Sequence, residues 1–300
     1  MNKIIVIGSI STDFVVLTDV RPEIGETVTG NDFQTTFGGK GANQAVASAR
    51  LGGDVSMVGT VGTDVFGDQL IQNLANNHIN TDDVERVTQV PSGSAHITIA
   101  DGDNSIVYIP GANNAITVAR IDQIKEMLLT AEVVIIQNEL PQPVIDEILT
   151  FCFDKSIKTI YNPAPAREVA ASILEKATFF TPNESEFHKL FPGLTITEGL
   201  KKYPNQLILT MGSKGVYFND GEKEVQIASY KVVPVDTTGA GDTFNGAFAV
   251  ALSKGMSVQA SIQFGNLAAS LSIQKMGAQG GMPTLEAMKA SDDYEEEWNI

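Results

Sequence analysis

The sequence predicts an α/β fold: a doubly wound, mostly parallel sheet with helices on both faces, plus a small β-sheet lid. Three observations carry this. Short, near-continuous Val/Ile runs recur along the chain, as in strands buried on both faces. Helix-length segments with apolar residues at helical spacing separate several of them. Two further groups of strand-like segments break the alternation and call for a small sheet of their own. Residues 1–300 read as a single domain, with the lid formed by segments 13–37 and 94–110.

Taken in order, KIIVIGS (3–9) is the first strand. DFVVLTD (13–19) and TVTGNDFQTTF (27–37) are strand-like without helical partners. NQAVASARLGG is helical, DVSMVGTVG (54–62) is a strand, and QLIQNLANN is helical again. In SAHITIADGDNSIVYIP (94–110), ITIA and SIVYI flank the turn-forming DGDN, a hairpin pattern. A sheet outside the βα rhythm must bury a face on something, so these strands are expected to cover a pocket as a lid, the plainer alternative being a decorative edge sheet. EVVIIQNE (132–139), the helical PVIDEILTFCFDK, TIYNPAP (159–165), TFFTPNE (178–184) and QLILTMG (206–212) continue the alternation. The strand-like KVVPV ends at Asp236, and TFNGAFAVALSKG reads as a helix closing on Gly255. The acidic stretch DDYEEEW reads as a solvated end.

Composition excludes several function classes. The hydrophobic fraction is 43%, and no apolar run approaches the ~20 residues of a membrane span. MNKIIVIGSI lacks the h-region and cleavage site of a signal peptide, so a cytoplasmic location is expected. A net charge of −16 argues against a nucleic-acid partner, although small phosphorylated ligands remain accessible through backbone N–H groups, helix termini and a metal ion. The single cysteine, Cys152, has no partner for a disulfide and reads as a small buried hydrophobe. His78, His96 and His188 share no metal-ligand spacing. A Walker A loop is excluded because Lys40 of GGKG is followed by Gly41, and no strand is followed by G-x-G-x-x-G.

The chemistry concentrates in VDTTGAGDTFNGAF (235–248). Gly239, Ala240 and Gly241 fall at a helix amino terminus, where small residues let backbone N–H groups approach an anion and the helix dipole favours negative charge. Asp242 could simply cap the helix. A capping Asp, however, precedes the first turn instead of following three small residues. A carboxylate beside an anion pocket costs electrostatic energy unless it has a task, such as accepting a proton from a hydroxyl that attacks a phosphoryl group. In FGGKGANQAVASARLGG, Gly38, Gly39, Lys40 and Asn43 open another helix. They suit either a tight strand-to-helix turn or the grip of a polyol. In TPNESE, Asn183 and Glu186 lie three apart after a strand, as an N-cap with a charged first turn or as ligand-facing groups.

GGKGANQAVASARLGGDVSMVGTVG and DTTGAGDTFNGAF resemble the two signatures of the ribokinase-like (PfkB) carbohydrate kinases, in the expected order, and the likeness runs over essentially the whole chain. Within the family, GETVTG, GGKGANQA, NPAPAR, TPNESE and GAQ together are most similar to the members that act on D-ribose. The resemblance implies ATP-dependent phosphorylation of D-ribose at O5 with Mg²⁺, activation by a monovalent cation such as K⁺, and a homodimer joined through the lids. The alternative is a kinase of the same fold acting on fructose, deoxyribose, a sugar acid or a nucleoside. A non-catalytic sugar-binding protein is the reading from another class, and the joint presence of Asp242, the GAG turn and the NxxE pair speaks against it.

By resemblance, Asp242 is the catalytic base and also touches the sugar, while the N–H groups of Gly239, Ala240 and Gly241 form an anion hole. Ser11, Asp13, Gly38, Gly39, Lys40, Asn43 and Glu139 correspond to sugar-binding positions. Asn183, Thr210, Met211, Gly212, Ser213, Lys214, Gly215, Gly241 and Asn266 correspond to ATP contacts, with Glu186 holding Mg²⁺ through water. Asp236, Thr238, Ser272, Lys275, Gly277 and Gly281 correspond to a monovalent-cation site built mainly from backbone oxygens. Three departures stand out. Ser11-Thr12-Asp13 replaces the family's Asn-x-Asp, so one sugar contact is lost or passes through water. The connection FPGLTITEGLKKYPNQ (191–206) is short enough to lose a peripheral helix, and Gly281 stands where serine is common.

Overall fold

Lys3–Ile7 (β1) sends Ile4 and Val6 into one hydrophobic cluster and Ile5 and Ile7 into another, because successive strand side chains point to opposite faces. The computed structural model describes residues 3–101, 103–298 and 300, so Gly102 in the DGDN turn lies outside the described residues. After β1 come β2 (Ser11–Leu17), β3 (Asp32–Gly38), α1 (Lys40–Arg50), β4 (Asp54–Gly62), α2 (Val65–Asn76), β5 (Asn80–Val87), β6 (Gly93–Ala100) and β7 (Asp103–Ile109). Next are α3 (Val118–Leu128), β8 (Val133–Gln137), α4 (Gln142–Asp154), β9 (Lys158–Asn162), α5 (Ala171–Leu174), β10 (Phe179–Phe180), α6 (Glu184–Leu190) and α7 (Ile196–Lys202). The chain finishes through β11 (Ile208–Thr210), β12 (Val216–Asn219), β13 (Glu224–Ile227), α8 (Ala240–Ser253), α9 (Val258–Ser272) and α10 (Leu285–Lys289).

The central sheet is six-stranded and parallel, in the order β10-β9-β8-β1-β4-β5. The chain winds from β1 outward through β4 and β5, then returns to the other side of β1 as β8 and winds outward again. Winding therefore reverses at β1, and in such sheets ligands bind beyond the carboxyl ends of the strands at this reversal. Helices α1, α8 and α9 cover one face, and α3, α4, α6 and α7 the other. The doubly wound expectation holds. Cys152 is buried on the second face.

The strands set apart by the sequence form a four-stranded sheet, β3-β2-β6-β7, with β2 and β6 parallel and both outer pairs antiparallel. Its strands begin at Ser11 and Gly93, slightly before the segments read as the lid. Two sequence expectations need correction, one holds only in part, and one sheet lies outside them. KVVPV forms no strand: Val233 and Val235 are exposed, and the N–H groups of Val235 and Asp236 both donate to Ile273 O. A third, antiparallel sheet, β11-β12-β13, extends the central sheet through bridges from Phe180 to Leu207 and Asn183 to Thr210. The short 191–206 connection keeps a helix, α7, because Thr195 and Glu198 close a capping box at its start. The acidic stretch is solvated at Asp292, Asp293 and Glu295 to Glu297, as expected, but is also anchored, since Trp298 is buried edge-on against Phe264 and Tyr294.

Candidate active site

Two close-packed helices bring the polar residues together. Gly246 on α8 lies against Ala47 and Ser48 of α1, where an added Cβ would sit 2.7 Å from Ala47 Cβ. One turn above this contact, Asn43 and Gln44 of α1 reach Asp242 of α8. Asn43 Nδ2 donates to Asp242 Oδ2 at 3.0 Å and Gln44 Nε2 to Oδ1 at 2.9 Å. Asp242 is 7% exposed and caps nothing: the helix begins on Gly239 without a side-chain cap. The plain capping reading of Asp242 therefore fails.

Gly239 adopts φ +79°, and a Cβ there would meet the backbone of Ala278, so glycine is required. Gly241 has nothing near a would-be Cβ, which leaves the helix start open to a ligand. Among the described residues Ala240 N–H already donates to Thr237 O at 3.2 Å, while Gly239 and Gly241 N–H have no such partner. This first turn lines a cavity of about 320 Å³ with Lys40, Asn183, Glu186, Thr210, Gly212, Gly215 and Asn266. Most expected nucleotide positions are thus gathered in one place. Met211 instead packs against the core, and Ser213 and Lys214 lie on an exposed turn outside the cavity lining. Asn183 and Glu186 do form a capping box, with Glu186 Oε2 accepting from Asn183 N–H at 2.8 Å and Asn183 Oδ1 accepting from Glu186 N–H at 2.8 Å. Both also face the cavity, so structural and ligand-facing readings coincide.

The sugar-side residues sit at the ends of β1, β2 and β8. Glu139 Oε2 accepts from Ser9 Oγ and from Lys40 N at 3.1 Å. Ser11 Oγ donates to Asp13 Oδ1 at 3.5 Å. Asp13 also packs on Gly38, where any Cβ would collide with its carboxylate. A second cleft lies between the four-stranded sheet and the loops 234–238 and 276–278, with Asp13, Val15, Ile97 and Ile99 on one side and Asp236, Thr238 and Gly277 on the other. Burial, then the Glu139 charge, pushes the Asp13 carboxyl up to about 7. Burial also raises Glu139 and Glu186. Burial alone would lower Lys40, but Asp242, Glu139, Glu186 and Asp13 surround it and hold its ammonium above the usual lysine range. The open helix start suits a ligand carrying negative charge, and Lys40 partly offsets the four acids gathered beside it.

Asp236 Oδ1 accepts from Thr238 N at 2.9 Å and Oδ2 from Gly277 N at 2.8 Å. Burial pushes its carboxyl up, but these hydrogen bonds outweigh burial and hold it below the usual range. They tie loop 235–238 to loop 272–281, where Gly281 packs so closely on Ser272 O that a Cβ would collide with it. Lys275 is exposed. Missed by sequence reasoning were Gln44, Gln137, Asn162 and Gln279, which hold the Asp242 network in place. Gln44 and Gln279 lay within quoted motifs, GANQA and GAQ, but glutamine has no chemistry of its own to mark it.

The model of the pfkB family carbohydrate kinases matches residues 1–285. The chain belongs to this family. It is 53% identical over 284 residues to the ribokinase of Bacillus subtilis (strain 168), covering 95% of this chain and 97% of that protein. A deoxyribokinase of Salmonella typhi is 36% identical over 295 residues, covering 94% and 96%. Among solved structures, Arabidopsis thaliana ribokinase complexed with ribose and ATP matches with a TM-score of 0.88 at 31% identity, covering 95% and 97%. Family membership accounts for the two signatures, the doubly wound sheet and the separate four-stranded sheet.

Proposed function

We propose that the chain transfers the γ-phosphoryl group of ATP to the 5-hydroxyl of D-ribose. One observation carries this: a buried carboxylate, Asp242, stands at an open helix start lining a cavity suited to a nucleotide, close enough to Asp13 of the second cleft for their charges to act on each other. The relatives named ribokinase support ribose as the acceptor. The molecule acts as one α/β domain in which the four-stranded sheet serves as a lid over the sugar. No helix among the described residues is long and apolar enough to cross a membrane. We place the enzyme in the cytoplasm, as a homodimer.

Asp13 and Asn43 fix the sugar hydroxyls, with Gly38, Gly39, Lys40 and Glu139 shaping the pocket and Ser11 supplying a hydroxyl where an amide is usual. Asp242 accepts the proton of the attacking hydroxyl as the new O–P bond forms and the bond to the ADP oxygen breaks. The N–H groups of Gly239 and Gly241, joined by that of Ala240 once it leaves Thr237 O, take up charge on the transferring phosphoryl oxygens. Asn183, Thr210, Gly212, Gly215 and Asn266 hold the nucleotide.

Among the described residues no three His, Cys, Asp or Glu cluster as a metal cage. Glu186 alone suits Mg²⁺, which takes one or two carboxylates plus substrate phosphates and keeps its waters. Its Oε2 serves the cap, leaving Oε1 free to reach the ion through water. Mg²⁺ supplies charge neutralisation at the phosphates when bound. Asp236, with backbone oxygens of Thr238, Ser272, Lys275, Gly277 and Gly281, would hold K⁺, and the close tie between the two loops fits such a site.

The test is ATP consumption with ribose, 2-deoxyribose, fructose and adenosine, with and without K⁺. Ribose should give the highest kcat/KM, with the phosphorus resonance of a 5-phosphate. A preference for another acceptor would overturn ribose, and no transfer to any of them would overturn the kinase. Asp242→Asn should bind ribose yet lose on the order of 10²–10⁴ in kcat.

A further inference from the structure

Asp242 is held by two arms of buried amides, and one of them has no role in binding the sugar or the nucleotide. Gln44 spends its whole amide: Nε2 donates to Asp242 Oδ1 at 2.9 Å and to Asn162 Oδ1 at 3.1 Å, and Oε1 accepts from Gln137 Nε2 at 2.7 Å. An amide can be turned either way, and the turned form would set Oε1 against the carboxylate. Gln137 opposes this: its N–H would meet the N–H of a turned Gln44 unless Gln137 turned too, and turning it would bury an unpaired amide NH2 against Gly8.

Gln137 itself is costly. It ends β8 at 0% exposure among Ile and Val side chains, and among the described residues none donates to its Oε1. That oxygen lies against Gly8, where a Cβ would collide with it. A buried acceptor left unpaired lowers stability, and an apolar side chain of the same shape would avoid the penalty. The unpaired Oε1 of Gln137 offsets what its N–H gains by satisfying Gln44 Oε1, so fold stability gives no net reason for a glutamine at this point, whereas orientation of Gln44 does.

Resting on the assignment of Asp242 as base, we propose that Gln137 and Gln44 form a positioning relay that aims the Asp242 carboxylate at the attacking hydroxyl. Two N–H donors, one per oxygen, fix the plane of the carboxylate before substrate arrives. The charged groups facing Asp242 are Lys40 from α1, Asp13 from β2, Glu139 after β8 and Glu186 from α6, and α8 contributes no other. Gln44 is the neutral member of this ring that touches Oδ1, so it sets geometry without adding charge.

The experiment compares Gln137→Met, Gln44→Leu and Gln44→Glu in the full chain, with Asp242→Asn as reference. Gln137→Met and Gln44→Leu should each lower kcat roughly 10- to 100-fold, the cost of a misplaced reacting group, with KM for ribose little changed. Gln137→Met should leave the melting temperature unlowered, since it removes one orphan acceptor while creating another at Gln44. Gln44→Glu should move the acid limb of the kcat–pH profile upward, because a second carboxylate opposes ionisation of the first. Added to Asp242→Asn, Gln44→Leu should cost nothing further. The relay is overturned if Gln44→Leu and Gln137→Met keep wild-type kcat, or if the Gln44→Leu loss persists in full on the Asp242→Asn background. Near-normal turnover by Asp242→Asn alone would overturn the base assignment and the relay with it. A dead Asp242→Asn beside an unaffected Gln44→Leu would overturn the relay only.

Discussion

Asp13 is a carboxyl that the fold keeps close to its neutral form. Burial is the main cause, the charge of Glu139 adds to it, and together they push it up to about 7 against the opposing pull of Ser11 and Lys40. In the unfolded chain the same group ionises near 4. Between those values the folded state holds a proton that the unfolded state has released, so stability falls as pH rises from about 4 to 7. Asp13→Asn should accordingly melt higher than the parent at pH 8, with the gap closing as pH drops toward 4. Melting curves across this range would show it, and a gap that is flat with pH would refute it. A sugar hydroxyl donating to Asp13 favours the carboxylate, so ribose affinity should rise with pH through about 7. Calorimetry in buffers of different ionisation enthalpy would detect the proton released on binding.

Between elements, the decisive feature is the approach of α1 to α8. Asn43 and Gln44 reach Asp242 only because Gly246 and Ala47 let the two helices touch one turn below, where Ser48 Oγ also donates to Gly246 O at 3.2 Å. Gly246→Val should force the helices apart, destabilise the protein by about 1–3 kcal/mol and reduce kcat more than ribose affinity. Chemical denaturation and steady-state kinetics would measure the two effects, and unchanged kcat would show that helix spacing does not set the site. The helix start at Gly239–Asp242 was legible in sequence because its signals are local: three small residues, then an acid, then an apolar run. The strands of the parallel sheet were legible because Val/Ile runs that bury both faces leave a continuous apolar record. What escaped were pairings between distant segments. The hydrogen bond from Gln137 to Gln44 joins residues 93 apart in the chain, and nothing local in either announces it. KVVPV failed as a strand for the reverse reason: its valines have strand propensity but find no partner strand, leaving Val233 83% exposed.

At the scale of the whole molecule, the four-stranded sheet has two unlike faces, sorted by the pleat. Register places Asp13, Val15, Ile97, Ile99 and Ile106 on the face toward the cleft. Phe33, Phe37, Val107 and Ile109 project from the other, beside a stack in which Phe14 lies between Phe33 and His96. Phe33 is 60% exposed and Val107 64%, an apolar surface whose removal from water would stabilise by about 25 cal/mol per Å². The edges β3 and β7 add unpaired backbone groups. A second copy of the same sheet offers matching apolar area, which is the physical motive for the proposed homodimer. Opposing it is a net charge of −16 on each chain, so two copies repel until salt screens them. The dimer should therefore tighten as salt rises from 0.02 to 0.2 M, a range over which the Debye length shrinks from about 20 Å to below 10 Å. Sedimentation velocity at both salt concentrations should show the shift, and Phe33→Asp with Val107→Asp should leave a monomer at either. Because these side chains point away from Asp13, the monomer should keep its fold and bind ribose more weakly through a less firmly held lid. A parent protein that sediments as a monomer at 0.2 M salt would rule out this mode of assembly.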